Sequence, residues 1–546
     1  MITTLHMTGL LTATLLNSGT PVVTSIGLED MAERLRGDVR VIVMGDSYSS
    51  PYINRMPLST LQSWPIPVIS AIQGGAPTSS HLVQCIPYCS NSSLIQGSDD
   101  DGYMAERRSD DPVYFALPVR GAQETYGDAD FTPGTGGKLF EFRLREDKFD
   151  DGVHGPFSQD DDQLKFRLLH LTPGDADANG VLQVDLINEH GDVAPAPLID
   201  GVRPHWHLGG DPEQDTAAAV DRQINAAATD IDCTRGPSAR HRVRLHESDP
   251  IAGSDRYLQP AGGVWYHCDD EGERRPGLYY SYLADDGWSY FGFAGSNGAG
   301  SSHDRRCSEA QVTHWMDVTT LDRDQPVVVL WYLAFEPTGE SAARTQMNNM
   351  IDRVDAGAVA IGLTDVHHLV VVPHMITFSV GDGPEARALA EAQQAIAFEL
   401  AVERDNVATA SLYAATDGVL FDGRPEAVDW LVDHGFDDFQ YGSNQVDLVA
   451  HSGGDLLDLG EVHPDDEHAA AFLATLLGDL IRDAGCPADV HVDGAITVED
   501  LLLVLAGWNK PGAGDIDGNG LTDVLDLLLI IEAWGDCWPV QAPFAE

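Results

Sequence analysis

The sequence predicts an α/β protein, a doubly wound domain interrupted by a β-rich block and followed by a small all-α module. Three observations predict it. Continuous apolar runs such as "VRVIVM", "QPVVVLWYLAF" and "LVVVPHM" alternate with amphipathic helical stretches, as parallel strands buried between helices do. Between about residues 90 and 290 that texture gives way to short alternating segments separated by aspartate, glycine and proline clusters, the pattern of an antiparallel β domain and plausibly of a sandwich. Near the end, "DVHVDGAITVEDLLLVLAGW" and "DIDGNGLTDVLDLLLIIEAW" repeat one order of acidic loop, leucine run and tryptophan.

In chain order, residues 1–25 carry the apolar run Leu10-Leu11-Thr12-Ala13-Thr14-Leu15-Leu16 and then Asn17-Ser18-Gly19. They read as the core and polar exit of a secretory signal, although no lysine or arginine precedes them. Residues 26–89 open the α/β domain with the helical "LEDMAERLRG" and the strand "VRVIVM". Residues 90–290 form the β-rich insertion, with "KLFEFRLRE", "QLKFRLLHL", "VLQVDLI" and "GLYYSYL" as strands. Residues 291–485 resume the α/β domain: two further strands, the helical "ARTQMNNMIDRV", and the long amphipathic "EARALAEAQQAIAFELAVER" and "AAAFLATLLGDLIRDAG". An exposed loop of such a domain tolerates an insertion of this kind. Residues 486–538 form the repeated module.

The 546 residues carry a formal net charge of -54. That balance excludes nucleic acid and anionic membrane surfaces as partners, because both polyanions would be repelled. Lys138, Lys148, Lys165 and Lys510 are the only lysines. No run beyond the first segment reaches the ~18 apolar residues of a membrane span. The seven cysteines show no CxxC pairs, so disulfides in an oxidising compartment are favoured over metal ligation. Cys486 and Cys537 bracket the repeated module. The expected location is extracellular or at the cell surface.

In the second repeat, Asp515, Asp517, Asn519, Asp523 and Asp526 stand at positions 1, 3, 5, 9 and 12 of a loop with Gly520 at 6. A calcium ion needs about six or more oxygens, and this spacing wraps them around it, with the Leu521 carbonyl at position 7. The first repeat offers Asp489, Asp493, the Ala495 carbonyl, Thr497 and Asp500. His491 at its position 3 is a poor calcium ligand, so this site is expected to be weaker. A duplicated calcium loop, each followed by one helix of the form "DLLLxxxxW", resembles a dockerin module. That resemblance implies structural Ca²⁺ and docking onto a cohesin-like partner or surface scaffold. The partner-reading positions hold Val498-Glu499 and Val524-Leu525 where cellulosomal dockerins carry Ser-Thr pairs.

"VIVMGDSYSS", residues 41–50, places Ser47 just past an apolar strand, where open α/β sheets put their sites. Gly45-Asp46-Ser47 resembles the first block of the GDSL or SGNH hydrolases. The resemblance implies a three-layer, flavodoxin-like core, a serine nucleophile, and an oxyanion hole completed by a later glycine and asparagine. It also implies a base from a closing Asp-x-x-His block, which "EVHPDDEHAAAFLATLL" matches in its His-Pro start, acidic first turn and following helix. Three histidines compete. Asp365 and His368 precede "LVVVPHM" and so fall at its amino edge, while His468, paired with Asp465, would lie inside the helix that Pro464 begins. His463, in the loop before that proline, is preferred. Gly460 occupies the family's aspartate position, so Asp458 is carried as the residue orienting His463, and a dyad without an acid stays open. Glu336 stands near the family's asparagine position and cannot donate. The glycine block "AGSNGAGSS" offers Gly295 or Gly298 as an amide donor and Asn297 as the side-chain donor.

Two functions follow. One is a secreted serine esterase acting on a carbohydrate or other small ester, preferably an acetylated polysaccharide. The other is a non-catalytic, calcium-stabilised carbohydrate-binding or scaffold-docking protein on a decayed hydrolase fold.

Overall fold

The computed structural model describes residues 11–14, 22–35, 38–45, strands lying between residues 83 and 284, and then 320–332, 340–375, 384–441, 444–456, 467–490, 495–510 and 521–536, with Arg274, Thr313, Met316, Gly514 and Ile516 as single residues. Its centre is a mixed α/β sheet. Five parallel strands form the core: β1 (Val39–Gly45), β2 (Leu278–Ala284), β3 (Val327–Tyr332), β4 (Val366–Val372) and β5 (Val407–Ser411). β1 lies between β2 and β3, β4 lies beyond β3, and β5 beyond β4, all in parallel register. Among these five the order is 2-1-3-4-5, as in flavodoxin-like sheets, with a sixth parallel strand, Val83–Ile86, that precedes β2 in the chain lying on its outer side. The expected strands "VRVIVM", "QPVVVLWYLAF" and "LVVVPHM" are β1, β3 and β4.

The sheet continues past both sides of this core, to 11 strands among the described residues. Beyond β5, Val22–Ile26 pairs antiparallel, and Leu11–Thr14 pairs antiparallel with it. Thr24, Ser25 and Ile26 are buried, so the sheet reaches into residues that the sequence reading assigns to a leading segment. Beyond β2, Val83–Ile86 is parallel, and then Pro260–Cys268, Gln163–Leu171 and Ala226–Asp232 add antiparallel strands. A second sheet joins Trp206–Leu208, Gly180–Ile187, Arg242–Glu247 and Phe140–Arg143. β2 falls inside the expected 90–290 insertion by number, yet it is a core strand, paired with β1 along its whole length. Arg274, just before it, ties this return to the amino edge of the sheet. Its Nη1 and Nη2 donate to Asp38 Oδ1 and Oδ2 at 2.8 and 2.7 Å, and Gln325 Nε2 also donates to Asp38, at 2.7 Å. A bidentate pair of this kind fixes orientation as well as distance.

The helices are α1 (Leu28–Leu35), α2 (Glu340–Ile361), α3 (Pro384–Glu403), α4 (Pro425–Asp433), α5 (Leu448–Ser452), α6 (Glu467–Ala484), α7 (Val498–Ala506) and α8 (Val524–Glu532). α2 and α3 pack on each other and against β4, while α1 and α6 pack on each other and against β5. β1 and β3 need helix cover because, apart from Arg40, they are apolar on both faces: Val41, Ile42, Val43, Met44 and Val327 to Tyr332 are all buried. Among the described residues no helix is long and apolar enough to cross a membrane.

Candidate active site

β1 ends at Gly45, which lies level with Ala284 of β2 and Tyr332 of β3. In a 2-1-3-4-5 sheet the strand order reverses beside β1, and a crevice opens there at the carboxyl edge. Ser47 follows Gly45 by two positions in the chain. Ser47 itself lies outside the described residues, as do His463, Asp458, Gly295, Asn297 and Gly298. Described elements flank each of them in the chain. Gly295, Asn297 and Gly298 follow β2, whose carboxyl end is level with that of β1.

Asp458 and His463 fall between Leu456 and α6, and both flanks rest on one aromatic cluster. Beyond the carboxyl end of β4, Met375 bridges in parallel to Leu420, which brings Phe421 to that edge. The Leu456 N–H donates to the Phe421 carbonyl at 3.2 Å. From the other flank, Phe472 of α6 meets Phe421 edge-on at 5.1 Å, Phe436 at 4.8 Å and Trp430 at 6.2 Å between ring centroids. Offset and edge-to-face contacts of this kind are worth ~1 kcal/mol each beyond area burial. The amino-terminal part of α6 is thus held at the carboxyl edge of the sheet.

His374 closes the cluster from the β4 side, its ring 6.4 Å from Phe421. Burial pushes it down to about 4, so it is neutral over the ordinary pH range. At the start of α6, His468 stacks on His451 from the end of α5, with ring centroids 3.7 Å apart and planes at 24°.

Asp365 and His368 do not form a pair. The Asp365 carboxylate accepts from Arg34 Nη1 at 2.7 Å and lies 3.0 Å from His367 Nε2. His367 is held below its ordinary value, chiefly by burial and then by the Arg34 charge. His368 is fully buried in β4. Trp331 Nε1 lies 3.0 Å from His368 Nδ1, and His368 Nε2 lies 2.9 Å from Asp355 Oδ1 of α2. Indole N–H only donates, so Nδ1 accepts and the ring proton sits on Nε2, where it is given to Asp355. Burial alone would raise Asp355, but the hydrogen bond from His368, the Asn406 amide and the Arg404 charge together hold it below the usual carboxylate range. This chain is a closed network of the core. Sequence reasoning missed it because Asp355 lies on a helix and no local spacing links it to Trp331 or His368.

In the C-terminal module, Asp500 and Asp526 are fully buried. Asp526 Oδ1 accepts from the Ile516 N–H at 2.6 Å and Oδ2 from the Asp523 N–H at 2.7 Å. Asp523 caps α8 through the Leu525 N–H at 2.8 Å. In the first repeat Asp500 Oδ2 accepts from the Thr497 N–H at 2.7 Å. Both are capping boxes, which satisfy the open N–H groups of a helix start. Leu521 is exposed, and Ala495 pairs with Asp536 in a short antiparallel ladder. Asp489 is described, whereas Asp493, Asp515, Asp517 and Asn519 lie outside the described residues. Among the described residues no three metal-binding side chains converge. Cys486 is disulfide-bonded.

The strand order defines an open α/β sheet whose order reverses beside β1. No family model and no curated protein matches the chain. Among solved structures it is similar to a peptidoglycan O-acetylesterase, at 12% identity over 84% of this chain and 95% of that one, with a TM-score of 0.35. It is also similar to the YXIM protein of Bacillus subtilis, at 12% identity over 74% of this chain and 99% of that one, with a TM-score of 0.28. Both likenesses are too low to carry activity, and the fold is read from the strand order itself.

Proposed function

We propose that the protein is a secreted serine esterase of the SGNH type that removes acyl groups, by preference acetyl, from a carbohydrate ester. The observation that carries this reading is the place of Gly45-Asp46-Ser47 in the chain, directly after the strand beside which the order of the sheet reverses. Ser47 Oγ attacks the ester carbonyl while His463 takes its proton. The tetrahedral intermediate collapses to an acyl-enzyme, and His463 returns the proton to the leaving alkoxide. Water, deprotonated by the same histidine, then releases the carboxylic acid and restores Ser47. Asp458 orients the imidazole, and the Gly295 or Gly298 amide with the Asn297 side chain receives the oxyanion charge.

The C-terminal module anchors the enzyme. Asp526 stands at position 12 of a calcium loop, and its two carboxylate oxygens accept the Ile516 and Asp523 N–H groups. Asp515, Asp517, Asn519 and Asp523, with the Leu521 carbonyl, complete the proposed set, and the ion would hold the loop against its helix. The weaker first set is Asp489, Asp493, Ala495, Thr497 and Asp500. The exposed apolar faces of α7 and α8 support docking onto a cohesin-like or surface partner.

The deciding measurement is hydrolysis of a short-chain aryl acetate by wild type beside Ser47→Ala, with calcium supplied. The expected loss is roughly 10⁴-fold or more in kcat. Equal rates would leave the second reading, a non-catalytic binding protein, which Gly460 and Glu336 favour by standing where the family has aspartate and asparagine.

A further inference from the structure

We propose that Val22–Ile26 is a permanent strand of the α/β domain that covers the outer edge of β5, and that a leader protease cuts the exported chain on its amino side. The processing half rests on the secretion in the proposed function; the structural half does not. The sequence alone leaves the cut undecided. A leader of residues 1–25 ends after Ser25, while Ser25-Ile26-Gly27 has a small residue at each end, as leader cleavage sites do. Either cut takes the strand away.

The fold opposes both cuts. Thr24 and Ser25 are each 1% exposed and Ile26 is 7% exposed, the burial of core residues. Ser25 and Ile26 pair antiparallel with Ala410 and Thr409 of β5, and the strand also packs against α3 and α6. β5 needs this neighbour. All of its residues, Val407–Ser411, are buried, and β4 occupies one of its two edges. Without Val22–Ile26 the other edge would hold backbone N–H and C=O groups with no ladder, an open template for another chain.

Gly27 then turns the chain straight into α1. Its φ of 71° is left-handed, and a Cβ there would lie 3.4 Å from the Val407 carbonyl oxygen and 3.6 Å from Ala408 Cα. The turn is pressed against the start of β5, which glycine permits. Leu28, Met31, Ala32 and Leu35 of α1 are buried immediately afterwards, so no spare length separates the strand from the domain. A cut after Gly27 would create a charged amine at Leu28, which is 1% exposed, and burying that charge is costly. A cut before Val22 removes none of these contacts. Leu11–Thr14, the outermost strand on that side of the sheet, leaves with the leader.

The test compares the full chain with one lacking residues 1–19 and one lacking residues 1–27, by urea midpoint and by amide hydrogen exchange across Val407–Ser411. The chain lacking 1–19 should match the full chain to within about 0.3 M urea, and the chain lacking 1–27 should fall by about 1 M or more. Exchange in β5 should quicken ~10-fold or more in the second deletion alone. If that deletion is not recovered soluble, Ser25→Asp in the full chain takes its place, with the same two shifts expected. A 1–27 deletion or Ser25→Asp chain that matches the full chain overturns the strand, as does a 1–19 deletion that falls just as far. Processing is read as the first residue of the chain recovered from the medium of a secreting host, with the protein's own leader. A start between Leu15 and Val22 is expected; a start beyond Val22, or a full-length chain in the medium, overturns the proposal. A full-length chain kept inside the cell would sink the secretion reading, while exchange in β5 still judges the strand.

Discussion

In the α/β core, strand β3 and helix α6 bury their apolar side chains almost completely, and Val359, Val402 and Val432 are the exposed large hydrophobics there among the described residues. In the C-terminal module the balance is reversed. α7 and α8 are apolar nearly all round, yet each buries only a narrow strip, Asp500 with Val504 and Asp526 with Ile530. Val498, Leu502 and Leu505 on α7 stand exposed, as do their repeat counterparts Val524, Leu528 and Ile531 on α8. A helix apolar all round is ordinarily a buried one. The difference teaches that the core turns its apolar surface inward for its own stability, whereas the module leaves much of its own exposed among the described residues, the surface on which the proposed docking rests.

The largest effect that tests this comparison is at Trp331, which is 1% exposed. Trp331→Ala should cost about 3–5 kcal/mol of stability in urea titration, since it opens a cavity and removes the donor to His368. An effect below ~1 kcal/mol would mean that the strand is not core.

Next is the acid response of the core. The folded His374 is held down to about 4 from 6.5 by burial, so its contribution is intact above pH 6.5 and declines as pH falls from there toward 4. Over that window the unfolded chain binds the proton and the folded chain does not, which removes roughly 3 kcal/mol. His374→Phe should flatten this decline, read as urea midpoints at pH about 7 and about 4.5. A variant that keeps the full wild-type slope would show that other groups set it.

The smallest stability effect belongs to the module. Leu528→Ser, on an exposed position, should change unfolding free energy by no more than about 0.5 kcal/mol. A loss well beyond that would show Leu528 to be a core residue of the module, and the contrast with the α/β domain would fall.

Much of this architecture is legible in the sequence. The apolar runs of β1, β3 and β4 and the spacing of α3 and α6 give the elements directly, because burial on both faces of a strand or on one face of a helix leaves a local period. The helix caps of the module are legible for the same reason: Thr497 with Asp500, and Asp523 with Asp526, stand three residues apart. β2 was harder. Its tyrosines, Tyr279, Tyr280 and Tyr282 around Ser281, look like one more strand of the β-rich block, and only its pairing with β1 makes it a core strand.

Sequence alone thus determined the α/β alternation, the strand that leads to Ser47 and the repeat in the C-terminal module, since each is written in neighbouring residues. The tertiary structure decided the 2-1-3-4-5 order, the return of β2 to the side of β1, the Asp355–His368–Trp331 network and the His451–His468 stack. Those depend on which distant segments meet, and residues far apart in a chain carry no local period that would announce the meeting.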